Sequence, residues 1–522
     1  MTQLAYPAPP SAGAEDSVYA ALREGFHNAR FYDREVCAYA GIEDLGAMVR
    51  LGDAVISPSS AIDGPLSAMC HLFLWSRAVA EKELRSILGD AFVDAAKAVN
   101  LLAPYDEFPG ALRALASVYP LRNGNAEPGR EAESAFWVVS DRLAGTEEER
   151  SARPDDVVFC PLAATGNTFL ALLPRTPCDR FVEVCAGCAP AALLASGFAK
   201  EVVASDLAGR SVAFARFVAR LNGRPQIQAL QGASYEGLTG RFDRIAAHPP
   251  YMPTLGAAEI YYGGGSTGMA VTEGLVRGLP EVLAPGGLFY AATMIFEGPE
   301  KSAEQLVREW LGEDHASYDV LLYPMFFHSL MEAAQRAALK AREGYEGMER
   351  AHNFLGAFGF RNAVVGLLLI RRHQGLAPAA TVRRRIGEPV DWRHLLWSLE
   401  TECTAVEDSD SARALSATYR VCPGVEMIVR HRTSPEGFAA AGFKMKTTAP
   451  FAIETEIEGW MSYLITRADG SMNGRQLMES CIEDQMIHPE TPPNEFAKLL
   501  WTFVGGAVLE SSVCPLPAAQ AT

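Results

Sequence analysis

From about Asp156 the chain alternates short apolar runs with amphipathic stretches. "RFVEVCAG", "EVVASD", "IQALQG", "FDRIAAH", "GLFYAATMIF", "YDVLLYPMF" and "NAVVGLLLIRR" read as seven strands. Helical stretches separate the first of them at βαβ spacing, which predicts a parallel sheet covered on both faces. Upstream, from Val18 to about Ala116, the pattern is that of short amphipathic helices, as in "HLFLWSRAVAEKELRSILGDAFVDAAKAVNLLA", and predicts a helical or winged-helix module. A polar, glycine-bearing stretch (122–134) precedes "AFWVVSDRL", a further strand. "LAPAAT" (376–381) and the acidic "TAVEDSDSA" (404–412) read as linkers. Asp391 and Trp392 open a helix after the sheet. Near the C-terminus "NEFAKLLWTFV" places Phe496, Leu499, Leu500, Phe503 and Val504 on one helical face, with Asn494 as its cap.

These patterns divide the chain into a flexible arm (1–16), a helical or winged-helix-like N-terminal domain (17–116), a connecting β segment (117–154), an α/β domain (155–375) and an α+β, winged-helix-like C-terminal domain (396–522). A length of 522 residues agrees with about three domains. A net charge of −17 works against a phosphate backbone, so a nucleic-acid partner is disfavoured. The N-terminal stretch carries no secretory pattern, and "AVVGLLLI" (363–370) is too short to span a bilayer. Ten scattered cysteines make no disulfide framework. A cytoplasmic, reduced protein without membrane contact is the expectation.

Candidate chemistry gathers at the ends of three strands. The first runs through Glu183 into "CAGCAP", where Gly187 lets backbone pass close to a ligand. The second ends at Asp206, 23 residues beyond Glu183, near the ~20-residue offset at which an acid meets a ribose hydroxyl. A helix cap is the equally weighted alternative for Asp206. The fourth strand ends in "HPPYMP": Pro249 and Pro250 lock a stiff, non-helical corner with Tyr251 directly behind. "CAGC" has redox or half-zinc spacing, but no second pair supports a metal. "GGGSTG" (263–268) lacks the Gly-Lys-Ser of a phosphate loop and reads as a mobile segment beside the substrate mouth.

The order of acid and small-residue turn, strand ending in acid, and strand ending in Pro-Pro-Tyr resembles a class I S-adenosylmethionine-dependent methyltransferase. More narrowly it resembles the branch with the protein glutamine N5-methyltransferases and amino-methylating nucleic-acid enzymes, whose signature is Asn or Asp followed by Pro-Pro-Tyr or Pro-Pro-Phe. "YYGGGSTGM" and "LPEVLAPGGLFYAA" keep that family's spacing, and the likeness covers roughly residues 155–372. The resemblance implies a seven-stranded, Rossmann-like methyltransferase sheet and S-adenosyl-L-methionine as cofactor, with S-adenosyl-L-homocysteine as product. It implies cofactor contacts at Glu183, Cys185, Gly187, Asp206, Leu207, Ser234 and Thr168, and catalytic roles for His248, Pro249, Pro250 and Tyr251.

Two departures shape the expectations. The family's alternating glycines are here Cys185, Gly187 and Ala189, small residues that such a turn accepts if their φ stays negative. His248 replaces the Asn or Asp that, by the resemblance, holds the acceptor nitrogen. A neutral imidazole offers one acceptor and one donor. With an ordinary pKa of ~6.5 it also qualifies as a general base for a hydroxyl or protonated amine. N-methylation of an amino-acid side chain, a peptide or a specialised small metabolite in biosynthesis is the main expectation. O-methylation with His248 as base, methylation of protein glutamine or nucleic acid, and a non-catalytic scaffold are the alternatives. The accessory domains would roof the site or make a homodimer.

Overall fold

The computed structural model describes residues 6–47, 61–122, 135–142, 152–163, 165–254, 260–341, 343–375, 378–435 and 437–518. The runs of apolar residues between Cys178 and Arg383 build one α/β sheet of eight strands. These are β1 (Cys178–Val184), β2 (Ala199–Asp206), β3 (Gln228–Gln231), β4 (Phe242–Ala247), β5 (Leu283–Glu297), β6 (Tyr318–Ser329), β7 (Asn362–Arg372) and β8 (Thr381–Arg383). Their order is β8-β6-β7-β5-β4-β1-β2-β3. All seven predicted strands are present, so the α/β expectation stands. The count of seven is corrected by β8, which lies at the end of the supposed linker and pairs in parallel with β6 through Val320–Thr381 and Leu322–Arg383. Three residues with a single buried side chain, Val382, leave no strand periodicity to read.

The chain forms two compact units, residues 1–300 with 328–363, and residues 301–327 with 364–522. In the first unit β3, β2, β1, β4 and β5 pair in parallel throughout. Phe181, Val182, Val184, Phe242, Ile245 and Phe289 are almost wholly buried, as expected of strands covered on both faces. Helix α1 (Gly166–Ala171) precedes β1, α2 (Pro190–Ala195) and α3 (Gly209–Leu221) follow β1 and β2, and α4 (Ala270–Val282) follows β4. Helix α3 buries Val212, Phe214, Phe217, Val218 and Leu221. Strand order reverses between β1 and β4. In open α/β sheets such a reversal opens a crevice at the strands' carboxyl ends.

Upstream, helices Asp16–Asn28, Asp33–Ala40, Glu81–Leu88 and Asp90–Ala98 accompany a small antiparallel sheet of Val79–Ala80, Ala111–Ala114 and Leu102–Pro104. Residues 6–15 are tied to the body of the unit, with Arg210 donating to Pro7 O, Arg220 to Ala12 O and Ser11 N to Val99 O. The strand Phe136–Asp141 pairs antiparallel with Ala116–Leu121; most of the polar stretch between them lies outside the described residues.

In the second unit the helix opened by Asp391 runs Trp392–Glu407, its cap carboxylate accepting from Arg393 N. The acidic segment 404–412 is not a linker. It finishes this helix, and Asp408 accepts from Arg413 N and Ala414 N to start the next (Ala412–Ser416). Asn494 is not a cap either, because helix Pro493–Gly505 begins one residue earlier with proline at its first position. That helix buries Phe496, Leu500, Phe503 and Val504, the predicted face less the half-buried Leu499. Among the described residues no helix is long and apolar enough to cross a membrane.

Candidate functional site

Val184 pairs with Ala247 and with Ser205. The next residues, Cys185 after β1 and His248 after β4, therefore leave the sheet from one rung, on the carboxyl side of the crevice. The proline corner and the small-residue turn are neighbours, as the motif order predicts.

The turn after β1 is built on Glu183. Its carboxylate is buried and accepts from Ala192 N at 2.7 Å, and burial pushes its pKa up to about 8. Cys185, Gly187 and Ala189 all have positive φ, at 54°, 54° and 60°. The condition set for the two substituted positions, a negative φ, is therefore not met: the turn keeps the left-handed conformation that glycine adopts freely. For an L-residue that conformation costs ~1–2 kcal/mol, the kind of strain that gathers at functional sites. Cys185→Val should accordingly destabilise the protein by about 2 kcal/mol, whereas Cys185→Gly should stay within about 1 kcal/mol of wild type in urea unfolding. The Cys185 thiol is held up to about 12, mainly by burial, which removes thiolate chemistry there.

Asp206 closes the turn. Its Oδ2 accepts from Gly187 N at 2.8 Å and its Oδ1 from Ala208 N at 2.9 Å. It does not cap α3, whose cap residue is Ala208 without a side-chain bond. A carboxylate carries about four lone-pair sites, so two backbone donors leave capacity for a vicinal diol. Leu207 directly behind is 55% exposed, an apolar platform at the crevice. Ser234, with φ 51°, is exposed in the loop after β3. Among the described residues a β-carbon on Gly187 would meet only Val158 Cγ1, at 3.9 Å, so the turn is open on that side. Val158 itself is placed by its N–H donating to Asp141 Oδ2 at 2.8 Å, and Asp141 is paired with Arg210 of α3. Sequence reading missed this ion pair, whose partners lie 69 residues apart.

At the other side of the crevice the corner is held rigidly. His248 Nε2 and Tyr251 Oη both bond Thr165 Oγ1, at 2.9 and 3.0 Å. The His248 ring lies 5.5 Å from Phe169 and stacks with Tyr251 at 5.9 Å and 19°. Burial pushes the imidazole down to about 4 and raises the Tyr251 phenol, so both are neutral near pH 7. Thr165 was not singled out from the sequence. Thr168, which was, sits half-buried in α1, and no hydrogen bond links its hydroxyl to the corner among the described residues. The missed signal is the glycine beside Thr165: a β-carbon on Gly166 would lie 2.0 Å from Pro161 O, so only glycine lets this turn close on Pro161.

"GGGSTG" is corrected from a mobile segment to a backbone clamp on the corner. Gly264 N donates to Met252 O, Met252 N to Tyr262 O and Thr254 N to Gly265 O, each at 2.9 Å. A β-carbon on Gly268 would lie 2.6 Å from Tyr251 O, and Gly265 and Gly268 have φ of 82° and 78°. The glycines are there for close approach.

No family model matches the chain. It is similar to a release factor glutamine methyltransferase from Deinococcus radiodurans, 29% identical over 123 residues, 22% of this chain and 44% of that protein. It is similar to another from Synechocystis sp., 30% identical over 170 residues, 29% of this chain and 55% of that protein. A putative protein N5-glutamine methyltransferase from Methanocaldococcus jannaschii is 28% identical over 114 residues, 21% of this chain and 57% of its own length. The chain spans about half the length of the curated relatives it matches. Over that part it resembles the glutamine N5-methyltransferase branch of the class I S-adenosylmethionine-dependent enzymes, as its motif order indicates.

Proposed function

We propose that the protein transfers a methyl group from S-adenosyl-L-methionine to a nitrogen held against His248 and Tyr251, leaving S-adenosyl-L-homocysteine, with the surplus proton of the methylated nitrogen lost to water. The observation that carries this reading is the shared rung: the turn of Cys185–Ala189 and the corner of His248–Tyr251 leave adjacent strands together, at the point where strand order reverses. The residues present fit the cofactor. Asp206 has free lone pairs for a ribose diol, Leu207 offers an exposed apolar face for adenine, and the open Gly187 turn with Glu183 beneath it lets backbone approach the amino-acid end. Ser234 and Thr168 stand as outlying contacts. Bound there, S-adenosyl-L-methionine supplies an electrophilic sulfonium methyl.

What the chain itself contributes is position and exclusion of water. Pro249 and Pro250 fix the corner, the glycine clamp fixes Tyr251, and the phenol ring offers a flat face to a planar acceptor group. Holding an acceptor in attack geometry accounts for most of the catalysis such a site needs. A neutral imidazole accepts one N–H from the acceptor, in place of the amide or acid of the relatives' branch.

His248 is a poor general base with its pKa near 4. The ring is neutral from about pH 5 upward and loses its acceptor only on acidification. The rate profile should therefore show its His248-dependent acid limb near pH 4 rather than ~6.5. His248→Asn should retain activity within about tenfold, since an amide oxygen also accepts, while His248→Ala should lose about 100-fold. An acid limb near pH 6.5 that vanishes in an inactive His248→Asn protein would move the reading to base-assisted O-methylation. Incubation with methyl-labelled cofactor and separate pools of amino acids, peptides and tRNA tests the acceptor class. Label is expected in an amino-acid, peptide or small-metabolite pool. Cofactor binding with label in no pool would favour a scaffold.

A further inference from the structure

The corner holds one hydroxyl between two groups, and its proton can serve only one of them. Thr165 is fully buried, and its Oγ1 lies 2.9 Å from His248 Nε2 and 3.0 Å from Tyr251 Oη. A hydroxyl donates once and accepts twice, so the state of the ring decides the wiring. If His248 carries its proton on Nδ1, Thr165 must donate to Nε2, and the other edge of the ring then carries a donor. If the proton is on Nε2, Thr165 accepts it and is free to donate to Tyr251 Oη, and Nδ1 is left as an acceptor. His248 Nδ1 makes no hydrogen bond among the described residues. The ring cannot turn to exchange its edges easily, because Tyr251 stacks on it and Phe169 tilts against it. The turn beside Thr165 is tight, since a β-carbon on Gly166 would lie 2.0 Å from Pro161 O.

We propose that Thr165 is a positioning residue that accepts the Nε2 proton of His248 and so presents Nδ1 as the acceptor for the substrate N–H. This rests on the reading of the site as an N-methylating one. A nitrogen about to be alkylated keeps its lone pair for the methyl group and turns its N–H toward the protein, so the protein must accept there. Of the two neutral tautomers only the one protonated on Nε2 does so. In the same wiring the Tyr251 O–H, relieved of Thr165, is left as a donor for a polar atom next to the acceptor nitrogen, such as an amide oxygen.

The test reads the ring directly. In the full-length protein with ¹⁵N-labelled histidine, the two-bond proton–nitrogen spectrum of His248 should show Nε2 protonated and Nδ1 bare in wild type and in Thr165→Ser. In Thr165→Val the population should move toward the Nδ1-protonated form. A wild-type ring protonated on Nδ1, or a tautomer unmoved in Thr165→Val, would overturn the assignment. Should the valine protein fail to fold, the wild-type spectrum still decides. Kinetically, Thr165→Val should lower kcat about tenfold or more, with the KM for S-adenosyl-L-methionine held within about threefold, and serine should restore it. The spectrum needs no turnover: a protein with the expected tautomer but no methyl transfer contradicts the proposed activity, not the role of Thr165.

Discussion

Tyr251→Ala should lower the turnover number about 100-fold while leaving S-adenosyl-L-methionine affinity within about threefold. The asymmetry follows from where the ring stands. Tyr251 stacks on His248 and bonds Thr165, on the β4 side of the crevice, whereas the groups that fit the cofactor leave β1 and β2. Removing the ring deletes the flat face for the acceptor and frees His248 to rotate, so the loss falls on attack geometry. Loosening by ~1 Å costs on the order of 10² in rate. Tyr251→Phe keeps the face and removes only the hydroxyl, and should fall between the two. Steady-state kinetics with calorimetric cofactor affinities separate the effects. Equal losses in both quantities for Tyr251→Ala would mean that the ring belongs to the cofactor site.

Asp206→Ala should do the reverse, and should also loosen the fold. The carboxylate is committed twice before any ligand arrives, to Gly187 N and Ala208 N. Alanine leaves both donors without their partner, at ~1–3 kcal/mol for each that stays buried. It also removes the acceptor for a ribose diol, and charge-assisted bonds are the stronger kind. We expect cofactor affinity to fall by about 100-fold, which is ~2.7 kcal/mol, with the midpoint of urea unfolding shifted down. Asp206→Asn keeps one acceptor oxygen and should recover part of the stability and less of the affinity. An Asp206→Ala protein that binds the cofactor as wild type does would remove the diol role.

How much of this was legible in the sequence divides along a physical line. Apolar runs of strand length, an acid at a strand's end and two prolines after another are local facts, and every predicted sheet strand is where the pattern placed it. Contacts set by the third dimension were not legible. Thr165 meets His248 across 83 residues, and nothing in "ATGNT" separates it from Thr168. Cys185 and Ala189 take positive φ in the turn that Asp206 closes on Gly187, against what their side chains prefer. The glycines at 263–268 read as freedom because glycine is permissive, but here they serve close backbone approach to Met252 and Tyr251. The acidic run at 404–412 has the composition of a linker, yet Asp408 is spent on helix-starting N–H groups and Trp501. The same residue types serve exposed linkers and buried caps, and composition does not tell them apart.

The proposed transfer requires the crevice between β1 and β4 to hold an activated methyl donor. The most direct measurement is titration calorimetry of the full-length protein with S-adenosyl-L-methionine, in parallel for wild type and Asp206→Ala. Wild type should show one site per chain with a dissociation constant on the order of 1–100 μM, weakened about 100-fold by the substitution. No heat of binding in the wild-type protein at millimolar cofactor would contradict it.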